Sequence, residues 1–238
     1  MTLKKTYTLL VLTLNELDGM KEIMPKVNAG IFKQIIVVDG GSTDGTIEWS
    51  EQNGYQVYVQ KQAGFRHAYN EVLPLVEGDI VVTFSPDGNS IPELLPDLVA
   101  EMENDYDMVI VSRYLESAKS DDDDVVTGFG NWLFTRTINF LHRAKFTDAM
   151  VIYRAYKKSV IDDLRLTDDS AYRYVEKLYN TKISWEPLLS VRAAKKKLKI
   201  KEIPGDEPPR IGGERKLKIL KWGAAYYTQF IVEKFTWM

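Results

Sequence analysis

The chain contains no cysteine, which removes disulfides, thiolate zinc sites and cysteine nucleophiles from consideration and fits a cytoplasmic protein. Histidine is nearly as scarce, with only His67 and His142. No run of about 18 apolar residues occurs, so no bilayer-spanning helix is expected. The opening MTLKKTYTLLVLTLNE turns polar too soon for a secretory signal. Internal repeats and low-complexity tracts are also missing.

The 238 residues, 45% hydrophobic and 27% charged, suit a soluble α/β domain with a substantial core. The net charge of −3 is unevenly spread: twelve Lys/Arg against five Asp/Glu lie between Lys182 and Lys221, a net of +7 that leaves −10 elsewhere. A basic C-terminal region suits an anionic ligand or surface, or a solvated helix face. Nucleic acid is not expected, because the whole chain is acidic and carries no nucleic-acid-binding motif.

The richest segment is Ile35–Thr46, IIVVDGGSTDGT, an apolar β-branched run that ends in Asp39 and a Gly/Ser/Asp turn. An aspartate at the carboxyl end of a buried parallel strand sits where open α/β sheets bind ligands. The alternative is a helix N-cap supplied by Thr43 or Asp44. Strands are predicted at Thr8–Thr13, Ile35–Asp39, Tyr55–Gln60, Asp79–Phe84 and Met108–Ser112. Helices are predicted from about Asp18 and over Thr46–Gln52, Arg66–Val76 and Pro92–Glu103. This alternation implies a mostly parallel, Rossmann-like sheet flanked by helices. Further on, the pattern predicts a helix over Phe129–Leu141, a strand over Ala149–Arg154, a helix over Ser184–Lys197 and a basic edge strand over Lys199–Ile203. Pro204–Gly213 reads as a turn-rich linker or mobile loop. Two units follow, a catalytic domain over 1–205 and a basic loop with an aromatic helix over 206–238.

Polar clusters close four of the strands, at Thr13–Glu16, at Asp39 with Ser42 and Asp44, at Ser85–Asn89 and at Ser112–Tyr114. A parallel sheet gathers such ends on one edge, as a nucleotide site requires. In SPDGN, the alternate residues Ser85, Asp87 and Asn89 are oxygen donors of the kind Mg²⁺ or Mn²⁺ takes. A Pro-Asp-Gly turn explains the same tripeptide without a metal. The Asp121–Asp124 run reads as a solvated loop or a cation ligand.

TLNE, VVDGGSTDGT, GFRHAYNEVLPLVEGD, VVTFSPDGNSIPE, VIVSRY, TDAMVIYRA and GGERKLK follow one another in an order that resembles family 2 glycosyltransferases of GT-A fold. The polyprenyl-phosphate (dolichyl-phosphate) mannosyl- and glucosyltransferases are the most similar subgroup, and the likeness spans about residues 6–218. The resemblance implies inverting transfer of a hexose from a GDP- or UDP-linked nucleotide sugar to a polyprenyl phosphate, assisted by Mg²⁺ or Mn²⁺, in cell-envelope glycan assembly. A saccharide hydroxyl is the rival acceptor, and a nucleotide-sugar-binding protein without turnover is the rival function.

By that resemblance Thr13, Asn15, Glu16 and Asp39 contact base and ribose, with Ser42 beside them. Asp87, with Ser85 and Asn89, holds the metal, although Ser85 stands where the family's D-x-D motif has its first aspartate. Gly40 replaces the second aspartate of the commoner DDG. Arg113 contacts phosphate through its fork. Arg210, Arg215 and Lys216 belong to the loop that closes over phosphates. Asp148 lies where the subgroup reads D-P-T-S-G-F-R-A, but Met150, Val151 and Ile152 replace TSG. Asp148 and Glu186 are the candidate bases if the acceptor is a hydroxyl. The terminal aromatic helix is expected to lie on the cytoplasmic face of a membrane, or to pack on the domain or in a homodimer.

Overall fold

A computed structural model describes residues 4–212 and 219–237. The strands are β1 (Tyr7–Thr13), β2 (Gln34–Asp39), β3 (Gln56–Val59), β4 (Ile80–Phe84), β5 (Met108–Ser112), β6 (Arg154–Lys157) and β7 (Ile200–Pro204). They form one sheet in the order β3-β2-β1-β4-β6-β5-β7. β6 runs antiparallel to β4 and β5, and the other pairings are parallel. Helices cover both faces: α1 (Leu17–Ile23), α2 (Thr46–Gln52), α3 (Phe65–Val72), α4 (Leu95–Met102), α5 (Val125–His142), α6 (Ser159–Asp163), α7 (Ser170–Tyr179), α8 (Glu186–Lys196) and α9 (Ile219–Thr236).

The period-2 alternation of strand side chains splits the core in two. Leu9, Val11, Val37, Val82 and Val109 face one way, with Met20 of α1 and Leu98 of α4. Leu10, Leu12, Ile36, Val38, Val81 and Ile110 face the other, with residues of α3, α5, α7, α8 and α9. Strands buried on both sides need continuous apolar runs, which is what YTLLVLT and IVVTF supply.

The predicted strand over Ala149–Arg154 is displaced, because β6 begins where that prediction ends. The apolar residues 149–153 form a loop around the buried Arg154 side chain. Its Nε donates to the Val151 carbonyl at 2.8 Å, and its Nη1 donates to Ser190 Oγ at 3.0 Å. A buried guanidinium must have its donors satisfied, so the loop's carbonyls turn inward instead of entering a ladder. The helix predicted from Phe129 starts at Val125, because Asp124 caps it: its carboxylate accepts from Val126 N at 2.9 Å and Thr127 N at 2.8 Å.

The basic edge strand is β7, paired to β5 at one end of the sheet. α9 packs on α5, α7 and α8 and buries Ala225, Tyr226 and Phe230 in the same core. Arg192 of α8 forks onto the buried Glu233, with two N–O distances of 3.0 Å. Most of the helix's aromatic surface is therefore spent against the domain.

Candidate active site

Parallel pairing carries the ends of β1, β2, β4 and β5 to one edge of the sheet. Thr13 lies beside Asp39, and Val11 beside Phe84. Asp39 is fully buried, and both its oxygens are engaged. Oδ2 accepts from Thr13 Oγ1 (2.7 Å) and Ser42 Oγ (2.6 Å), while Oδ1 accepts from Gly41 N (2.8 Å) and Ser42 N (2.7 Å). The carboxylate thus folds its own turn. Asn15, in the left-handed region at φ 53°, is exposed and clamps that turn from β1. Its N–H donates to Ser42 Oγ (2.7 Å) and its Oδ1 accepts from Thr43 N (2.8 Å). Glu16 is half-buried next in line, its N–H on Thr46 Oγ1 at 3.0 Å. These five predicted residues are brought together, as a cross-braced pair of loops.

A second group lies beyond β4 and β5. Ser85 is half-buried at the end of β4, and the turn after it is pressed onto α1. A Cβ on Gly19 would come within 2.2 Å of the Pro86 carbonyl oxygen, so only glycine fits there. Asp87 is buried, with Oδ1 accepting from Asn89 N (3.1 Å) and Oδ2 3.0 Å from Arg210 Nη1. The Asp87 carbonyl also accepts from Ile211 N at 2.8 Å, which straps the 206–212 loop across the turn. Arg210 Nε reaches Asp122 at 3.3 Å, and Asn89 Nδ2 donates to the same carboxylate at 3.1 Å. Arg113 forks onto Asp148 (Nε–Oδ2 2.6 Å, Nη2–Oδ1 3.1 Å) and reaches both oxygens of Glu207 through Nη1 at 3.1 Å. Arg215 and Lys216 lie outside the described residues.

Residues 8–165 match the family described as Glycosyl transferase family 2. The chain is a family 2 glycosyltransferase. Among its relatives, a "Glycosyltransferase AglJ" of Haloferax volcanii is 26% identical over 84% of this chain and 62% of its own length. A "Dolichyl-phosphate hexose transferase" of the same organism is 29% identical over 81% of this chain and 77% of its own. A "Dolichol-phosphate mannosyltransferase" of Pyrococcus furiosus is 24% identical over 89% of this chain and 59% of its own. The chain therefore spans only about three-fifths of the first and third of these relatives. In fold it is similar to glucosyl-3-phosphoglycerate synthase from Mycobacterium tuberculosis, solved with Mn²⁺, UDP and glucosyl-3-phosphoglycerate. That likeness has TM-score 0.63 and 17% identity over 97% of this chain and 80% of the other, and it establishes the GT-A fold.

Burial and Arg113 divide the acids of this glycosyltransferase. Burial alone would raise the Asp148 carboxyl, but the Arg113 guanidinium forked onto it wins and holds it below the usual carboxylate range. Glu207 is pushed up by burial, which Arg113 and the Ser120 hydroxyl offset only in part. Glu202 is also pushed up by burial, despite accepting from the N–H groups of Thr147 and Asp148, and the Asp148 charge adds to the effect. Glu186, the other candidate base, is buried in the core, where the Tyr69 hydroxyl donates to it. His67 is half-buried on α3, its imidazole pulled down by burial and by the charges of Arg66 and Lys182.

The donor set suits a cation carried in with its substrate. Asn89 Oδ1 is buried and has no hydrogen-bond partner among the described residues, and the neighbouring carboxylates on Nδ2 fix which way the amide points. Asp87 adds one carboxylate. No cluster of three or more His, Cys, Asp or Glu able to hold a metal occurs among the described residues. Ions such as Mg²⁺ are commonly held by one or two carboxylates plus substrate phosphates. Sequence reading missed Glu207 and singled out Asp122 only as one of the Asp121–Asp124 run. Both come from loops whose meeting with Arg113 and Asn89 is purely tertiary.

Proposed function

We propose that this chain moves a hexose, with inversion, from a GDP-mannose- or UDP-glucose-class donor to a polyprenyl phosphate, at a membrane face during cell-envelope glycan assembly. The relatives named for dolichyl-phosphate transfer support the acceptor class, over most of this chain's length. The observation that carries the reading is the pairing of two arginines, Arg113 and Arg210, with buried carboxylates at the sheet edge where the nucleotide-side loops also end.

The braced Thr13–Glu16 and Asp39–Ser42 loops form the rigid platform for base and ribose, so the donor's reacting end is held in register. Asp87 with Asn89, flanked by Ser85, would hold a divalent cation, which supplies charge neutralisation on the diphosphate. Arg113, held by Asp148 and Glu207, and Arg210, which can exchange Asp87 for phosphate oxygens, would supply the cationic donors for the diphosphate. An oxygen of the acceptor phosphate attacks the anomeric carbon while the bond to the diphosphate breaks, and the electron pair leaves on the diphosphate oxygen. A phosphomonoester is already ionised at neutral pH, so no general base is required.

Calorimetry with a panel of nucleotide sugars, with and without Mn²⁺, tests the donor. Nucleoside diphosphate release on adding polyprenyl phosphate tests the acceptor. Metal-dependent binding of one donor followed by release supports the proposal. Binding without release on either acceptor type overturns it.

A further inference from the structure

α5 is amphipathic in the wrong direction for a helix that only packs on a core. Its inner face carries Thr135, Ile138 and His142, all buried. Its outer face carries Val125, Phe129, Trp132 and Phe140, which are 91%, 60%, 54% and 84% exposed. The spacing of these residues places them on one stripe, and Phe129 stacks on Trp132 at 5.7 Å. Soluble monomers seldom leave such a cluster of large apolar side chains uncovered on one helix face. From Val125 to Lys145 the charged residues are Arg136, Arg143 and Lys145, all exposed, with no acid among them. Apolar rings with interspersed bases are the composition of a helix that lies in a lipid interface.

The helix that carries the stripe also adjoins the site. On the inner side of the same helix, Asn131 Nδ2 donates to the Tyr114 hydroxyl at 3.0 Å, one residue from Arg113. The acids before the helix are held on that side too, Asp122 by Asn89 and Arg210, Asp123 by Tyr114 and Asn131. α9, which the sequence put forward for this role, sends Tyr226 and Phe230 into the core instead.

We infer that the outer face of α5 docks on an anionic lipid bilayer and so presents the arginine-lined end of the site to a lipid-borne acceptor phosphate. The inference rests on the polyprenyl-phosphate reading and adds the surface through which that acceptor is reached.

Vesicle flotation of the full chain tests it, comparing phosphatidylglycerol/phosphatidylcholine vesicles with phosphatidylcholine alone. The wild type should float with the anionic vesicles. A Phe129→Ser/Trp132→Ser variant should lose about tenfold or more of that binding, Arg136→Glu should weaken it, and Phe235→Ser on α9 should leave it unchanged. Brominated lipids should quench a tryptophan signal that Trp132→Phe abolishes. Circular dichroism checks that the fold survives, and transfer to a short, water-soluble prenyl phosphate should be unchanged in the double variant. No flotation, or flotation equal in the double variant, overturns the docking surface, and continued turnover on the short acceptor then leaves the functional reading standing. Stripe-dependent flotation without turnover on any prenyl phosphate upholds the surface and sinks the acceptor assignment. A dimer that the double variant splits into monomers shows that a second copy covers the stripe, and the lipid proposal is then wrong.

Discussion

Asp148→Asn isolates the role of the Arg113 fork, because it keeps the shape of the side chain and removes its charge. Asp148 is fully buried and the Arg113 side chain is 11% exposed, so little solvent screens the pair. The amide accepts from one guanidinium N–H and opposes the other with its own NH₂, leaving a buried cation half-paired. Breaking one partner of a buried pair costs about 3–5 kcal/mol. The Glu207 contact through Nη1 remains, which argues for the lower end, about 3 kcal/mol. In a chain of this size that is a fall in Tm of about 6–12 °C. The sign of the pH dependence follows from the lowered Asp148 carboxyl: its contribution is complete above about pH 4 and is lost as pH falls through the folded-state value. Melting curves for wild type and Asp148→Asn should therefore differ by a constant amount at neutral pH and converge in acid. The triple replacement Arg113→Met/Asp148→Leu/Glu207→Gln, which removes the cation with both of its carboxylates, should recover much of the stability while remaining inactive, which separates packing from catalysis. A Tm within about 1 °C of wild type together with unchanged kcat for Asp148→Asn would refute the reasoning.

Asp87→Ala should lower kcat by about 10² or more and abolish the Mn²⁺ dependence of donor binding in calorimetry, and retention of either excludes Asp87 as the anchor. Arg210→Ala removes the cation 3.0 Å from Asp87, so Mn²⁺ should bind the donor-free protein more tightly while kcat falls, and a weaker Mn²⁺ isotherm counts against that competition. Burial pushes the His142 imidazole down, and its Nε2 lies 3.0 Å from the Phe230 carbonyl across the α5–α9 contact. Its folded-state value is lowered, so the associated stability is full above about pH 6.5 and is lost as pH falls further. His142→Gln should flatten that part of the Tm–pH curve, and parallel curves would show that the imidazole does not matter there.

The strand ends were legible because parallel strands buried on both faces leave an unmistakable β-branched run with a polar stop. α2 and β5 match their predicted bounds residue for residue. Where side chains decide against the local pattern, the sequence misleads. The apolar residues 149–153 read as a strand, yet the donors of Arg154 draw their carbonyls away from any ladder. α9 carries aromatic residues on several sides, so nothing in its pattern distinguishes the buried Phe230 from the exposed Phe235. The outward stripe of α5 was hidden for the opposite reason, since an apolar helical face is normally read as core. α7 went unread because only Tyr172 and Val175 of its ten residues are buried.

The substitution of Ser85 for an acid looks like decay when the motif is read alone, but the carboxyl count of the folded site argues otherwise. Asp122, brought in from the loop before α5, lies on the same guanidinium as Asp87. Two carboxyls therefore flank Arg210, as two flank Arg113. With all four ionised, two guanidinium groups leave the cluster negative, and even a protonated Glu207 leaves one carboxylate in excess. A diphosphate entering this cluster adds further negative charge in a partly buried setting, where like charges repel strongly. An aspartate at position 85 would deepen that deficit. A divalent cation arriving with the donor would offset the diphosphate's own charge, so that the loaded site would be no more negative than the empty one. On electrostatic grounds, then, Ser85 at the end of β4 with Asp122 held on Arg210 keeps the negative charge of the cluster from growing further, which is compatible with turnover.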